Sequence, residues 1–156
     1  MKQSEALDLL SFEFFREFAR CEYCLKVAGL REPNRRDPTA DWGALSEQIS
    51  TTLDQPSSAE LQLAVRYYLA SPPKKQVLIE DHLDWSNNLP DHKSQSELLL
   101  RLVCRVRNNL FHGGKFNGHW FEPQRSELLL QHGLVILKAV VNAHPLVRAA
   151  YENKAA

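Results

Sequence analysis

Residues 94–115 of the chain are SQSELLLRLVCRVRNNLFHGGK, and this stretch indicates the type of fold. Ser94 or Ser96 provides an N-cap with Glu97 in the first turn, and Gly113 with Gly114 ends the helix. The apolar side chains between these signals recur at steps of three and four residues, which places them on one helical face: Leu98, Leu99, Leu102, Val103, Val106 and Leu110. The stretch therefore predicts one amphipathic helix that packs against a core.

Three further segments have the same helical spacing of apolar residues. They are predicted helices over residues 4–29 and 58–70, and from residue 123 or 124 towards the C-terminus. His144 followed by Pro145 predicts a kink or a break inside the last one, because the residue before a proline avoids the helical conformation. These segments bring the number of principal helices to four.

The segments between the principal helices are less regular. Residues 31–58 are rich in Pro, Asp, Ser and Thr, and a short helix is predicted within residues 42–50. Two alternatives stay open for residues 76–79, which are either a short extended run or the start of a helix, and residues 87–92 are a predicted loop. With no alternating strand pattern and no internal repeat, the sequence predicts an all-α fold: a single-domain up-and-down bundle of four to five helices over residues 1–156, with short helices or an irregular insert.

Length and composition are those of one soluble globular domain. The chain has 156 residues, of which 44% are hydrophobic and 24% are charged, so it can bury a core without disulfides or a metal. Nineteen basic and nineteen acidic side chains give a formal net charge of zero. This balance excludes a strongly basic protein that coats nucleic acid, although it leaves room for a local cationic site.

The distribution of charge along the chain does indicate such a site. No acidic residue lies between Glu97 and Glu122, whereas this segment contains four fixed positive charges: Arg101, Arg105, Arg107 and Lys115. Solvated helix faces usually mix charges of both signs, so a purely cationic face indicates an anionic ligand.

Helix geometry divides the polar residues of this segment into two groups. At about 100° per residue, one stripe within about 60° contains Arg101, Arg105, Asn108 and His112, while Arg107 lies about 140° from His112. Arg107 and His112 therefore reach a common atom only if the helix unwinds at the glycines or if two copies of the chain pair about a two-fold axis. The second geometry favours a homodimer.

The cysteines and tryptophans are predicted to be structural. Three cysteines are too few for a secreted disulfide scaffold, and the Cys21-x-x-Cys24 spacing has no second pair to complete a zinc site, so we expect core packing, no metal and no cofactor. The three tryptophans are expected to anchor the core: Trp42, Trp85 and Trp120. No stretch approaches about 18 consecutive apolar residues, so we expect no membrane partner and a cytoplasmic location.

Residues 107–115, RNNLFHGGK, resemble the R-x4-H signature of the HEPN superfamily of helical domains, in the branch with the motif R-N-N-x-x-H-G-G-K. Residues 18–29, FARCEYCLKVAG, are similar to the first helix of that branch, with its F-x-R-x-E-Y-x-L-K pattern. Further landmarks of the same kind are Asp41 with Trp42, and the pair Pro72 and Pro73 followed by Gln76 and Trp85. The resemblance thus extends over nearly the whole chain.

The resemblance implies a helical bundle that dimerises with its motifs facing each other, and metal-independent RNA cleavage in active members. For this chain it implies His112 as general acid and base, Arg107 as the stabiliser of transition-state charge and Asn108 as a positioning residue. The residues expected to contact the RNA backbone are Arg101, Arg105, Asn109 and Lys115. It also suggests Glu22 as a counter-ion of the motif arginine, with Lys26 one turn away as structural support.

The expected function is therefore an endoribonuclease that acts as a homodimer, as a toxin or an antiviral-defence effector. The expected partners are RNA, a second copy of the chain, and a cognate antitoxin or a nucleotidyltransferase. The alternative is a non-catalytic HEPN module that binds RNA or nucleotides or regulates a partner protein. A purely structural dimerisation domain is a third possibility. The presence of both Arg107 and His112 argues against it and against the non-catalytic module.

Overall fold

The computed structural model describes residues 1–113, residue 120 and residues 122–153. This part of the chain contains four long helices: α1 (Gln3–Val27), α4 (Ala59–Ala70), α5 (Gln95–Phe111) and α6 (Pro123–Ala143). It also contains three short ones: α2 (Trp42–Gln48), α3 (Ser50–Asp54) and α7 (Pro145–Tyr151). Two strands, β1 (Lys75–Ile79) and β2 (His82–Ser86), complete the fold. The prediction of a mainly helical protein is confirmed.

The helix ends follow the capping signals of the sequence. The Ser58 hydroxyl accepts a hydrogen bond from the Leu61 N–H at the start of α4, and the Ser94 hydroxyl accepts one from the Glu97 N–H at the start of α5. Gly113 follows α5 with a φ of 71°, a conformation in which glycine has no Cβ penalty. These caps fix where α5 begins and ends, and α5 contains most of the predicted site residues.

Helix α6 occupies the centre of the fold. It packs against α1 and against α4, while α5 packs against the short helices α2 and α3 and contacts α1 and α4 as well. The buried side chains of α6 are mostly leucines and valines, among them Leu130, Leu137 and Val140. Each such side chain contributes about 1.5–3 kcal/mol when it leaves water, so α6 supplies a large share of the core.

The contact of α6 with α1 and α4 is very close at Gly133. A Cβ atom at this position would lie 2.6 Å from the hydroxyl of Tyr68 on α4 and 2.8 Å from Cε2 of Phe14 on α1. Tyr68 is fully buried, and its hydroxyl donates a hydrogen bond of 2.6 Å to the carbonyl of Leu129 on α6. A helix residue without a side chain is therefore required where the three helices meet.

The break predicted at His144 and Pro145 is confirmed. The helix axis bends by 111° between α6 and α7. Nδ1 of His144 accepts a hydrogen bond from the Val147 N–H and caps α7, so Nε2 carries the proton and donates it to Oε1 of Gln48 at 2.6 Å. Among the described residues no single helix is long and apolar enough to cross a membrane, although α6 and α7 taken together reach that length and composition.

The fold is mainly helical but not entirely so, because residues 75–86 form a small two-stranded sheet. β1 and β2 form an antiparallel hairpin in which Gln76 pairs with Trp85 and Ile79 pairs with His82. Glu80 and Asp81 form the two-residue turn, with φ values of 47° and 64°, as in a type I′ turn. The extended alternative for residues 76–79 is thus the correct one.

Replacing Gly133 with alanine is expected to destabilise the protein. The new methyl group overlaps the Tyr68 hydroxyl and the Phe14 ring, so the free energy of unfolding should fall by about 1–3 kcal/mol in equilibrium urea denaturation. Gly43→Ala is the matched control, because Gly43 also lies in a helix, α2, and its Cβ would be 3.4 Å from the nearest atom, Oδ1 of Asp41. This variant should be neutral or stabilised by up to about 1 kcal/mol. Equal stabilities of the two variants would contradict the close approach at Gly133.

Candidate functional site

The polar side of α5 forms one wall of a cleft, and the base of the hairpin and the loop after it form the other wall. We call it the α5–hairpin cleft. It has a volume of about 360 Å³ and is lined by Lys75, Gln76, Pro90, Arg101, Cys104, Arg105, Asn108, Asn109 and His112. The stripe predicted on α5 is therefore gathered in one place, since Arg101, Arg105, Asn108 and His112 all line this cleft.

The α5–hairpin cleft is cationic. Its described lining has three fixed positive charges, on Lys75, Arg101 and Arg105, and no carboxylate. Arg101 is partly neutralised, because its Nη2 lies 3.2 Å from Oε1 of Glu97 one turn earlier on α5. Burial lowers the pKa of the Arg105 guanidinium from its ordinary value, yet arginine keeps its charge in proteins. An anionic ligand is the natural occupant of such a cleft.

Arg105 and Asn109 attach the hairpin to α5. Nη1 of Arg105 donates hydrogen bonds to the carbonyl of Pro73 at 3.3 Å and to the carbonyl of Asn88 at 2.8 Å, just before and just after the hairpin. Nδ2 of Asn109 donates to the carbonyl of Lys74 at 2.9 Å. Because Asn109 is only 7% exposed, its amide lies in the floor of the cleft, and in this structure it serves the fold.

Arg107 lies on the other side of α5 and faces α1. Its Nη2 is 3.6 Å from Oε2 of Glu22, so the ion pair suggested for Glu22 is present. Its Cζ atom lies 5.3 Å from the centroid of the Phe18 ring, within reach of a cation–π interaction. Lys26 lies one turn beyond Glu22, in the last turn of α1. Arg107 is thus held in a fixed orientation by α1.

Asn108 connects the two sides of α5. Its Oδ1 accepts a hydrogen bond of 2.9 Å from Nη1 of Arg107, while its side chain lines the α5–hairpin cleft beside His112. His112 follows the last residue of α5, where its backbone N–H donates to the Asn108 carbonyl and its exposed imidazole meets the Phe111 ring edge-on at 5.3 Å. Within the described residues, no hydrogen bond joins Arg107 to His112. The separation of the two groups agrees with the helical angles.

An exposed group of aromatic side chains lies next to the motif, and the sequence analysis did not identify it. Phe15 on α1 and Phe111 on α5 have nearly parallel rings with centroids 6.4 Å apart, and Phe12 lies one turn before Phe15. Phe12 is 63% exposed and Phe111 is 65% exposed. We call these three residues the aromatic patch. Exposed apolar clusters of this kind mark interaction surfaces.

The cysteines and the tryptophans, all expected to be structural, differ in how far they are buried. Cys21 and Cys24 are buried in the core, as predicted, and burial raises the pKa of the partly exposed Cys104 thiol to about 12, so it is no nucleophile at neutral pH. Trp42 is buried, whereas Trp85 and Trp120 are partly buried.

One expected site residue cannot be placed. Lys115, expected to contact RNA, lies outside the described residues. Among the described residues, no group of three or more His, Cys, Asp or Glu side chains is arranged to hold a metal ion.

Comparisons with known proteins give no relative of this chain. No protein-family model matches it, no curated protein matches it, and no solved structure matches its fold. The chemistry of the cleft and the resemblance of its motif are therefore the basis for a functional proposal.

Asn109→Ala is expected to loosen the hairpin. The variant leaves the Lys74 carbonyl without its donor, which should lower the free energy of unfolding by about 1–3 kcal/mol and raise the hydrogen-exchange rates of the β1 amides. Asn88→Ala is the control, because Asn88 contributes its backbone carbonyl to Arg105 and its exposed side chain is not part of this contact. Exchange rates in β1 that are the same in both variants would show that Asn109 does not attach the hairpin.

Proposed function

We propose that the chain is a metal-independent endoribonuclease of the HEPN type that works as a homodimer. The single observation that carries the proposal is the α5–hairpin cleft, where fixed cations and the imidazole of His112 line one cavity whose described residues include no carboxylate. Cations of this kind bind phosphate oxygens, and an imidazole near neutral pH is suited to proton transfer. The R-x4-H resemblance supports the same chemistry.

The proposed reaction is an internal transfer of a phosphodiester. The ribose 2′-oxygen attacks the adjacent phosphorus and loses its proton to an imidazole, so that a new P–O2′ bond forms while the P–O5′ bond breaks. The departing 5′-oxygen takes a proton from a second imidazole, which leaves a 2′,3′-cyclic phosphate and a 5′-hydroxyl. Arg107 is assigned to the negative charge that builds up on the phosphorane oxygens, because a guanidinium binds two such oxygens at once.

A homodimer would bring Arg107 and His112 to one site, which a single chain does not do. In one chain Arg107 faces α1 and His112 lies at the α5–hairpin cleft, so they flank the helix on different sides. Two chains paired about a two-fold axis through the ends of α5 would bring two imidazoles and two guanidinium groups to a shared site. The aromatic patch lies beside this end of α5, and its burial would stabilise the pair.

Asn108 has a positioning role in this scheme. Its Oδ1 atom holds Nη1 of Arg107 at 2.9 Å, and its NH₂ group makes no hydrogen bond within the described part of the chain. That group can therefore donate to a phosphate oxygen or to His112. A toxin or defence effector, silenced by a cognate antitoxin or a nucleotidyltransferase, is the biological role that the resemblance implies for such an enzyme.

One observation favours a non-catalytic alternative. Arg107 is already occupied by Glu22 and Asn108, and a guanidinium with two partners is less available to a phosphorane. The same cleft would then bind RNA or a nucleotide, or regulate a partner protein, without cleaving it. Cleavage assays separate this alternative from the enzyme.

Loss of the imidazole is expected to abolish RNA cleavage. In EDTA, wild-type protein should cut RNA and leave 2′,3′-cyclic phosphate ends, while His112→Ala should be about 10²–10⁴ times slower and Arg107→Ala about 10²–10³ times slower. His82→Ala is the control, because His82 is an exposed residue at the far end of the hairpin, outside the cleft lining, and should retain full activity. Intact RNA that is still bound by wild type would favour the binding module, and cleavage that survives His112→Ala would refute the mechanism.

A charge in the aromatic patch is expected to separate the dimer. Phe12→Glu places a carboxylate in the proposed interface without altering a residue of the cleft, so the dimer dissociation constant in sedimentation experiments should rise by about tenfold or more. Activity should fall in parallel at low protein concentration. Leu63→Glu is the control, because Leu63 is an exposed leucine on α4, away from the patch. A dimer that both variants leave equally tight would place the interface elsewhere.

A further inference from the structure

We infer that Gln76 is the specificity-determining residue of the α5–hairpin cleft, where it reads the base of a single-stranded RNA nucleotide whose phosphate is bound by α5. The inference rests on the proposed function, because it assigns a substrate preference to the same cleft. The sequence analysis names Gln76 only as a landmark of the resemblance and gives it no role at the site, and the hairpin that places it there was not predicted.

The position of Gln76 is the first observation. It is the second residue of β1, is half-buried, and lines the cleft together with Asn108 and His112 of α5. The hairpin and α5 form different walls of this cavity. A nucleotide held by the motif residues on one wall therefore extends its other end towards Gln76.

The second observation is that the Gln76 amide makes no hydrogen bond within the described residues. By contrast, three side chains of the same cleft are bound within the protein: Arg101 to Glu97, Arg105 to two carbonyls, and Asn109 to another carbonyl. The carbonyl and NH₂ groups of Gln76 are thus available to a ligand.

The chemistry of the Gln76 amide favours an RNA base over a phosphate as its hydrogen-bonding partner. Lys75, Arg101 and Arg105 already provide fixed positive charge in the cleft for a phosphate, and a neutral amide adds none. An amide presents one acceptor and two donors, and the edges of RNA bases present donors and acceptors in different orders. Gln76 is therefore suited to distinguish one base from another.

The hairpin holds Gln76 in a defined place. Arg105 and Asn109 fix the chain on both sides of the hairpin, at the carbonyls of Pro73, Lys74 and Asn88. A side chain on a strand that is already ordered loses less entropy on binding than one on a free loop, so its hydrogen bonds discriminate more strongly.

The substrate class follows from the same geometry. A cleft of about 360 Å³ is of the size that holds one small ligand, which corresponds to about one nucleotide. A base can offer its edge to Gln76 only when that edge is not paired with another base, so the substrate is single-stranded RNA.

The first arm of the test measures cleavage. Single-stranded oligoribonucleotides that differ in one base beside the cleaved bond should be cut by wild type at different rates, and Gln76→Ala should reduce the ratio between the best and the worst base by about tenfold. His82→Ala is the matched control, because His82 is an exposed residue at the far end of the same hairpin and should preserve the ratio.

The second arm measures binding without cleavage. In the His112→Ala background, fluorescence anisotropy with oligomers of rA, rC, rG and rU should show base discrimination that Gln76→Ala removes and His82→Ala preserves. Discrimination that is unchanged by Gln76→Ala, or absent from wild type, would overturn the inference. If base discrimination depends on Gln76 but wild-type protein cleaves none of the oligomers in the first arm, the role of Gln76 is supported and the nuclease is refuted. Failure of every oligomer to bind would refute both.

Discussion

The close approach at Gly133 is the constraint on which the arrangement of the long helices depends. α1 and α4 both reach the backbone of α6 there, through the Phe14 ring and the Tyr68 hydroxyl. The Tyr68 hydroxyl then donates a hydrogen bond to the Leu129 carbonyl, so that a buried polar group is satisfied inside an apolar core. This junction sets the position of α1 in the bundle. The position of α1 in turn decides what α5 faces, since Glu22 and Phe18 of α1 are the groups that orient Arg107.

α5 thus has two polar sides, each supported by different neighbours. On one side, α1 provides a carboxylate and an aromatic ring for Arg107. On the other side, the hairpin and the loop after it complete a cationic cleft around His112. Asn108 is placed between them and contacts both. The R-x4-H spacing accounts for the separation of Arg107 and His112, because residues five positions apart point in different directions on a regular helix.

The sequence was sufficient to predict features that depend on local periodicity and capping. The four long helices, the break at His144 and the stripe on α5 all follow from the spacing of apolar residues, from serine caps and from proline. The hairpin could not be predicted in the same way. Its turn is Glu80 and Asp81, not the Asn-Gly pair that usually marks a type I′ turn.

The parts of the site that were missed depend on tertiary contacts. Asn109 was expected to contact RNA because it belongs to the motif, but its amide is directed at the Lys74 carbonyl, thirty-five residues earlier in the chain. Gln76 enters the cleft only because this contact brings β1 there. The aromatic patch is formed by residues nearly one hundred positions apart, Phe15 and Phe111, so no short window of sequence contains it.

The attachment of the hairpin at its base has a consequence for how the protein can change over time. Arg105 and Asn109 bind backbone carbonyls, which every amino acid provides, so the side chains of the hairpin are under little constraint from this contact. Its outer residues, such as the 73% exposed Leu83, contribute little to the core. Substitutions in the hairpin can therefore accumulate at low cost to folding, and a chain of this design can acquire a new ligand preference while its helices and motif stay the same.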